Sequence, residues 1–193
     1  MRKYRFKSLA VFCASSDGLD SVIYKEAYDV GEFLAKAEIE VVYGGSRLGL
    51  MVQVAKGVLG QSGKITGVIP DFLKTKEVVH TGLTNLITTE DMHARKMTMH
   101  DLSDAFIALP GGFGTLEELF EILTWGQLGL HRKPIGILNS NGYYDDFIEL
   151  MNKMVSKGLL REENMNLVQV SSNIEELLDK LEAFVPMLRC QNG

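Results

Sequence analysis

A glycine-rich segment near the middle of the chain has the composition of a phosphate-binding loop. It reads Leu109-Pro-Gly-Gly-Phe-Gly-Thr-Leu-Glu-Glu118, follows a short apolar run and opens a helical pattern. Glycine allows a tight turn and lets peptide N–H groups approach a ligand closely. The first N–H groups of a helix have no partners within the helix, so they suit an anion. We predict that a phosphate group binds the residues that open the helix: Gly111, Gly112, Phe113, Gly114 and Thr115.

Two further loops of the same character follow other apolar runs. They are Cys13-Ala-Ser-Ser-Asp-Gly18 and Tyr43-Gly-Gly-Ser-Arg-Leu-Gly49. One glycine cluster alone would fit a simple turn between a strand and a helix equally well, but three such loops at one sheet edge favour a phosphate site. The glycine-rich segment has neither the Lys-Ser or Lys-Thr of a Walker loop nor the GxGxxG spacing of a dinucleotide site. Four residues of the first two loops are expected to assist: Ser15, Ser16, Gly45 and Ser46.

Three carboxylates crowd the helix that follows the glycine-rich segment, namely Glu117, Glu118 and Glu121. They would repel a phosphate dianion unless a cation lay between them, and a ribosyl group in an oxocarbenium-like transition state is such a cation. Glu118 and Glu121 are three residues apart and face one side of the helix, so both are predicted to be catalytic, whereas Glu117 is expected to be solvated. The spacing of Thr115 and Glu118 also fits a capping box, a structural role that competes with catalysis.

A matching cation lies in segment 90–100, which is predicted to form a helix capped by acidic residues. Met92, Arg95 and Met99 share one face of that helix. An arginine between two methionines suits a pocket that holds an apolar base and an anion, so we predict that Arg95 orients a nucleotide and Met92 contacts its base. A surface arginine whose stem covers apolar side chains is the alternative. Lys96 is expected to be a solvated neighbour within reach of the phosphate.

The histidines do not form a predicted metal site. His93 and His100 are seven residues apart and could share a helix face, but no acidic partners stand at a clear spacing from them. Both are expected on the helix surface, and His80 and His131 are isolated. No metal or other cofactor is predicted, because water would be the second reactant.

Short apolar runs alternate with helical patterns along the chain, which predicts an α/β fold. Most runs are continuous, as in strands buried on both faces. The predicted strands are 9–14, 39–43, 65–69, 86–89, 105–109, 135–138 and 167–170. Apolar residues share a helical face in three segments: Ile23, Ala27, Val30, Leu34 and Ala37; Leu116, Leu119 and Leu123; Ile174, Leu178 and Leu181. This alternation predicts a doubly wound, mostly parallel sheet with helices on both faces.

One domain is expected over residues 1–193, with frayed ends at about 1–7 and 187–193 and a loop near the site at 71–84. The 193 residues include 46% hydrophobic and 23% charged residues, which suits one sizeable core. The net charge of −5 disfavours nucleic acid as a partner, because proteins that bind its phosphate backbone carry a basic excess. The two cysteines form no disulfide framework, and no apolar run is long enough to span a membrane, so a cytoplasmic location is expected.

Together these motifs resemble those of the Lonely Guy (LOG) family. Segment 110–118 is similar to the PGGxGTxxE signature of that family. The resemblance covers nearly the whole chain and includes Val11-Phe-Cys-Ala-Ser-Ser16, Tyr43-Gly-Gly-Ser46, Gly49-Leu-Met51, Met92-His-Ala-Arg-Lys96, Thr124-Trp-Gly-Gln-Leu-Gly129, Lys133-Pro-Ile-Gly136 and Asn141-Gly-Tyr-Tyr144. Two departures are small: Cys13 begins a motif in which glycine often precedes the serines, and Phe113 stands where many members have tyrosine.

The resemblance implies a Rossmann-like fold, a homodimer or larger assembly, and catalysis by Arg95 and Glu118. LOG proteins are cytokinin riboside 5′-monophosphate phosphoribohydrolases, although many are labelled lysine decarboxylase-like. Decarboxylases of that kind hold pyridoxal phosphate on a lysine in much longer chains, and no lysine here stands in a recognisable Schiff-base motif. Lysine decarboxylation is therefore not expected.

The predicted reaction is hydrolysis of the N-glycosidic bond of an N6-modified AMP to the free base and ribose 5-phosphate. The residues leave open whether Glu118 is a nucleophile, a base or an electrostatic stabiliser. A general nucleoside monophosphate nucleosidase is one alternative within the same reaction class. A noncatalytic carrier of a nucleotide or cofactor is another, and the acidic helix start argues against it, since a carrier of anions gains nothing from carboxylates beside the phosphate.

Overall fold

Strands and helices alternate along the described chain. The computed structural model describes residues 4–74 and 79–186. The strands are β1 (Ser8–Phe12), β2 (Glu40–Tyr43), β3 (Ile65–Pro70), β4 (Asn85–Thr89), β5 (Ala105–Ala108), β6 (Ile135–Leu138) and β7 (Val168–Ser171). The α-helices are α1 (Ser21–Lys36), α2 (Gly49–Gly60), α3 (Met92–Asp101), α4 (Phe113–Leu128), α5 (Asp145–Ser156) and α6 (Ile174–Ala183). Every predicted strand is confirmed, with its ends displaced by no more than one or two residues.

The strands form one parallel sheet in the order β4-β3-β2-β1-β5-β6-β7. The chain moves outward from β1 to β4, then crosses back to place β5 on the other side of β1, with Leu9 opposite Ala105 and Phe12 opposite Ala108. The connections that leave β1 and β5 diverge, so a crevice opens outside the carboxyl ends of these two strands. Ligands bind at this position in doubly wound folds. The predicted doubly wound sheet is confirmed, and every strand pair in it is parallel.

The core lies in two apolar layers, one on each face of the sheet. Residues of one parity along β1, such as Leu9 and Val11, join a cluster with α1, α2 and α6. Residues of the other parity, such as Ala10 and Phe12, join a cluster with α3, α4 and α5. Side chains alternate between the two faces of a strand, so strands covered on both sides carry continuous apolar runs.

The first described residues are packed rather than frayed. Tyr4 and Phe6 are buried, the amide N–H of Arg5 donates to Glu182 Oε2 at 2.9 Å, and Arg5 Nη2 donates to the carbonyl of Phe184 at 2.7 Å. The expectation of a frayed start therefore fails for residues 4–7, while residues 1–3 and 187–193 lie outside the described ranges. Within 4–74 and 79–186, no helix has both the length and the hydropathy of a bilayer span.

Candidate active site

The three predicted loops meet at the carboxyl ends of β1, β2 and β5. The amide N–H of Ala14 donates to the carbonyl of Pro110 at 3.1 Å, and the amide N–H of Leu50 donates to the carbonyl of Ala14 at 2.9 Å. The amide N–H of Gly49 donates to Asp17 Oδ1 at 3.0 Å. The loop after β1 is thus bonded to the loops that follow both of its neighbouring strands, which brings the predicted phosphate-binding residues to one edge of the sheet.

Glycine is required where these loops approach one another. Gly49 has a φ of +56°, and a Cβ there would lie 2.7 Å from the carbonyl oxygens of Ala14 and Ser16. A Cβ on Gly44 would lie 2.3 Å from Arg95 Nη2. Gly44 therefore leaves the space that the Arg95 guanidinium occupies, a role that the sequence did not reveal.

Helix α4 begins without a side-chain cap. Gly112 is its N-cap residue, and no side chain bonds to the first turn. The capping box considered for Thr115 and Glu118 is therefore not formed, because both residues lie inside the helix. No acceptor within 4–74 or 79–186 takes the N–H groups of residues 111–115. Beside Gly112 and Gly114, the space that a Cβ would fill is open, so a ligand can reach these amides.

Arg95 and Glu118 form a buried ion pair between α3 and α4. Arg95 Nη1 lies 3.2 Å from Glu118 Oε1, and the two side chains are only 9% and 7% exposed. Arg95 Nε also donates to the carbonyl of Val68 at 3.1 Å, which fixes the plane of the guanidinium. Met99 is buried on the same helix face, and Met92 is partly buried. The alternative of a surface arginine is wrong.

Burial raises the pKa of Glu118 to about 7, although the neighbouring charge of Arg95 opposes this rise. Glu117 and Glu121 add to it, whereas Lys96 lowers the pKa. A carboxyl group with a pKa near neutrality exchanges protons readily at physiological pH, which is the property that a general base or acid requires. The pKa of Glu118 thus lies in the range in which a carboxyl group can serve as a general acid or base near neutral pH.

Lys96 forms a second, outer ion-pair network with α4. Its Nζ bonds to Glu117 Oε1 and lies 3.0 Å from Glu121 Oε1. The Lys96 side chain is 10% exposed, so the expectation of a solvated lysine is wrong: two carboxylates hold it against α4. Glu117 is exposed, as expected, but it is paired. Glu118 and Glu121 both face α3, as their spacing predicts, yet they bind different cations.

The remaining predicted phosphate ligands differ in exposure. Ser15 and Ser16 are exposed in the loop after β1, whereas Gly45 and Ser46 are buried. Ser46 Oγ accepts a hydrogen bond from the amide N–H of Leu48 at 3.1 Å, which occupies one of its acceptor positions. Phe113 is 95% exposed at the first position of α4.

Part of segment 71–84, which was expected to form a loop near the site, lies beside the loop after β2. The segment opens with a 3₁₀ turn at Asp71–Leu73, and residues 75–78 of it lie outside the described ranges. The amide N–H of His80 donates to the carbonyl of Gly45 at 3.2 Å, and Val79 forms an antiparallel bridge with Ser46. Val79 and His80 therefore pack against one of the three loops of the site.

Comparison with known proteins identifies the family. The family model described as "Possible lysine decarboxylase" matches residues 51–181. A cytokinin riboside 5′-monophosphate phosphoribohydrolase of Arabidopsis thaliana is 42% identical over 183 residues, which cover 94% of this chain and 85% of that protein. Another, from Oryza sativa subsp. japonica, is 40% identical over 185 residues, covering 96% of this chain and 76% of that protein. The chain belongs to the LOG family.

The LOG family relatives are named for phosphoribohydrolase activity, so the family is one of N-glycosyl hydrolases, and the family model's description names a different reaction. Solved structures with the same fold include a molybdenum cofactor binding protein of Rippkaea orientalis, with a TM-score of 0.69 and 23% identity over 93% of this chain and 97% of that one. The molybdenum cofactor carrier protein of Chlamydomonas reinhardtii gives a TM-score of 0.70 and 19% identity over 93% of this chain and 98% of that one. At these identities the likeness concerns the fold alone.

Two histidines differ from the sequence expectation for this LOG family member. His100 was expected on the surface, but its ring stacks on Phe106 with centroids 5.6 Å apart. His131 was expected to be isolated, but it is buried, its ring meets that of His100 edge-on at 5.3 Å, and its Nε2 lies 2.8 Å from the carbonyl of Ile122. His93 is exposed, as expected. Among the described residues, no group of three or more histidine, cysteine or acidic side chains is arranged to hold a metal ion.

Sequence reasoning missed three side chains beside the site. Cys13 is buried, and its thiol is close enough to Glu118 and Arg95 for their charges to act on it; burial raises the pKa of this thiol. Tyr143 and Tyr144 bond to carbonyl groups of the glycine-rich loop. Both tyrosines belong to a motif of the LOG resemblance, but their distance from the loop along the chain concealed the contact.

Proposed function

We propose that this LOG family protein hydrolyses the N-glycosidic bond of cytokinin riboside 5′-monophosphates, which are N6-modified AMP nucleotides. The products are the free base and ribose 5-phosphate. The observation that carries the proposal is the buried ion pair between Arg95 on α3 and Glu118, which lies in the second turn of α4 after the open amides of the glycine-rich loop. The named activities of the LOG relatives support the same reaction.

In the proposed mechanism, the 5′-phosphate binds the free N–H groups of residues 111–115, with help from the Ser15/Ser16 and Gly45/Ser46 loops. An anion is favoured there because these amides have no acceptor within residues 4–74 and 79–186 and the helix dipole points toward them. Arg95 orients the nucleotide and partly balances Glu118, and Met92 contacts the base.

The bond between C1′ and the base nitrogen breaks, and its electron pair leaves with the base. Positive charge develops on the ribosyl group, and the carboxylate of Glu118 stabilises it. Water supplies the new bond at C1′, and one of its protons passes to Glu118. That proton then neutralises the departing base, so the atoms and charges balance. The pKa of about 7 suits Glu118 to accept and release this proton.

The proposal also includes a single domain, a cytoplasmic location and a homodimer. Several apolar side chains are exposed along α4 and just after it: Phe113, Phe120, Leu128 and Leu130. Large exposed apolar side chains on one element favour a contact with another protein surface. A second copy of this chain is the proposed occupant, and light scattering of the purified protein measures its mass.

The activity test compares AMP with isopentenyladenosine 5′-monophosphate and follows the released base by chromatography. We expect base release by the wild-type protein, faster from the prenylated substrate, and a loss of about 10²–10⁴-fold in Glu118→Gln, the usual contribution of a general acid or base. Glu149→Gln, which changes an exposed carboxyl group on α5, is the matched control and keeps full activity.

Each alternative function predicts a different result in the same experiment. Equal kcat/KM on the two substrates would identify a general nucleoside monophosphate nucleosidase. Tight binding of both without release of base would identify a carrier. If wild type and Glu118→Gln both release nothing, the hydrolase proposal is wrong.

A further inference from the structure

Two adjacent tyrosines reach the glycine-rich loop from the turn between β6 and α5. This turn is held by its own hydrogen bonds: the amide N–H of Tyr144 donates to Asn139 Oδ1, and Asn139 Nδ2 donates to Asp145 Oδ1, each at 2.7 Å. The Tyr143 hydroxyl donates to the carbonyl of Gly111 at 2.5 Å, and the Tyr144 hydroxyl donates to the carbonyl of Leu109 at 2.6 Å. The turn thus anchors alternate carbonyls of the loop.

Consecutive carbonyls of the loop are all bound within the protein. Between the two carbonyls that the tyrosines bind, that of Pro110 accepts from the amide N–H of Ala14 at 3.1 Å. The carbonyl of Gly112 accepts from the amide N–H of Leu116 at 3.0 Å. The carbonyl oxygens therefore point into protein contacts, while the N–H groups of residues 111–115 have no acceptor in the described ranges.

Because each trans peptide is planar, the direction of a carbonyl group is linked to the direction of the N–H group that follows it. The carbonyl of one residue and the N–H of the next point in opposite directions, so fixing one fixes the other. The bond from Tyr143 to the Gly111 carbonyl therefore sets the direction of the Gly112 N–H. The peptide that it anchors joins two glycines, which restrict the backbone less than any other pair. Without this anchor the peptide can rotate and present its carbonyl oxygen to the anion instead of its N–H.

The hydrogen bond from Tyr144 does not orient an N–H group in this way. The residue after Leu109 is Pro110, which has no N–H, so the bond from the Tyr144 hydroxyl orients no donor. Tyr144 is also fully buried in the core, whereas Tyr143 is 50% exposed. Two neighbouring phenols of similar hydrogen-bond length thus differ in whether they control an amide that faces the ligand.

We propose that Tyr143 is a positioning residue for the phosphate of the substrate: through the Gly111 carbonyl it holds the Gly112 N–H toward the anion. This inference rests on the proposed function in placing a phosphate at the loop. It adds a residue outside the glycine-rich segment that controls phosphate affinity without touching the reacting atoms.

The test measures affinity by calorimetry with ribose 5-phosphate, AMP and adenosine, together with kcat and KM for AMP. In Tyr143→Phe we expect the Kd for ribose 5-phosphate and AMP to rise about tenfold, the usual size of one hydrogen bond to a charged group. The Kd for adenosine, which has no phosphate, stays unchanged. KM for AMP rises with Kd, and kcat changes by less than about twofold, since C1′ and Glu118 are not involved.

Tyr144→Phe is the matched control. It removes a hydrogen bond of similar length from the same turn, so we expect a lower melting temperature because the Leu109 carbonyl is left buried without a partner. Its Kd for ribose 5-phosphate should equal that of wild type. A purely structural role for Tyr143 would instead lower the melting temperature and leave the ratio of AMP to adenosine affinity unchanged, and that result overturns the inference.

The binding assay separates this inference from the hydrolase proposal. If wild type binds ribose 5-phosphate but releases no base from AMP or its prenylated form, hydrolysis fails, and a weaker Kd in Tyr143→Phe still supports the role of Tyr143. If wild type releases base and Tyr143→Phe binds ribose 5-phosphate as tightly as wild type does, only the role of Tyr143 fails. If wild type binds neither phosphorylated compound, the phosphate site is absent and both fail.

Discussion

Helices α3 and α4 are joined by two sets of ion pairs that begin at neighbouring residues. Arg95 pairs inward with Glu118, and both side chains are less than a tenth exposed. Lys96 pairs outward with Glu117 and Glu121, whose side chains are 53% and 22% exposed. The two networks use the same kinds of charge on the same two helices, and they differ in their distance from solvent.

The difference in burial separates their chemistry. Removing Glu118 from water raises its pKa to about 7 despite its cationic partner. In the outer network, burial acts to lower the pKa of Lys96, but its hydrogen bonds to Glu117 and Glu121 outweigh that effect and raise the pKa. The inner pair therefore holds a carboxyl group that can exchange a proton near neutral pH, and the outer network keeps its lysine charged and balances the acidic face of α4.

Breaking the ion pair between Arg95 and Glu118 should reduce stability and activity the most. In Arg95→Met, Glu118 stays buried without its cation and the Val68 carbonyl loses a donor, so unfolding by urea at pH 8 should show a loss of about 3 kcal/mol or more. Base release should fall at least about 10²-fold. Arg132→Met, at an exposed position, is the control and should match wild type in both measurements. Wild-type stability in Arg95→Met would show that the pair does not hold α3 to α4.

Stability and activity should change in opposite directions between pH 4.5 and about 7. The pKa of Glu118 rises from 4.5 to about 7 on folding, so the native state keeps a proton that the unfolded chain releases. Stability from this group is fully present below pH 4.5, declines as pH rises toward about 7, and then levels off. kcat/KM should rise over the same window, because the carboxylate is the active form in the proposed mechanism. Urea unfolding of Glu118→Gln should lack this decline, and a decline equal to that of wild type would contradict the assignment to Glu118.

Removing Lys96, the cation of the outer network, should change activity and stability less than removing Arg95, and should shift the pH profile in one direction. The charge of Lys96 lowers the pKa of Glu118, so in Lys96→Met the acidic limb of the kcat/KM profile should move to higher pH, by less than about one pH unit. Stability should fall by about 1 kcal/mol or less, since Glu117 is exposed to solvent. A shift to lower pH would show that Lys96 does not act on Glu118 through its charge.

Glu117→Gln should shift the pH profile of kcat/KM the least, and in the direction opposite to the shift in Lys96→Met. Glu117 raises the pKa of Glu118, so its neutralisation should move the acidic limb to lower pH by a fraction of a pH unit. kcat on the plateau should stay at the wild-type value. Equal directions of shift in Lys96→Met and Glu117→Gln would exclude an electrostatic coupling between the two networks.

Local pattern predicted the fold and pointed to the residues of the candidate site. Short apolar runs, most of them continuous, predicted all seven strands, and the alternation with helices predicted the doubly wound sheet. The order of strands and loops also explains why Arg95 and Glu118, 23 positions apart in the numbering, could both be assigned to the site. Pattern assigned Arg95 to the pocket and Lys96 to solvent, and it was wrong about Lys96, because only the position of α4 brings Glu117 and Glu121 within reach of that lysine.

Two further features also depended on contacts between distant parts of the chain, which local pattern does not show. Thr115 and Glu118 have the spacing of a capping box, but the glycine-rich loop places the helix start at Phe113 and removes Thr115 from the cap position. The sequence predicts His100 on a helix surface and His131 in isolation, but β5 and the segment before β6 bring their rings together around Phe106.

The sequence by itself determined the secondary structure, the strand-to-helix loops and their glycines, because these depend on residues close together in the chain. The tertiary structure decided which charges lose contact with water and which side chains hold the loop peptides in place. Desolvation depends on everything packed around a group. For Glu118 the neighbours include Arg95 on α3 and Cys13 just after β1, and for the Gly111 carbonyl the partner is a tyrosine 32 residues away.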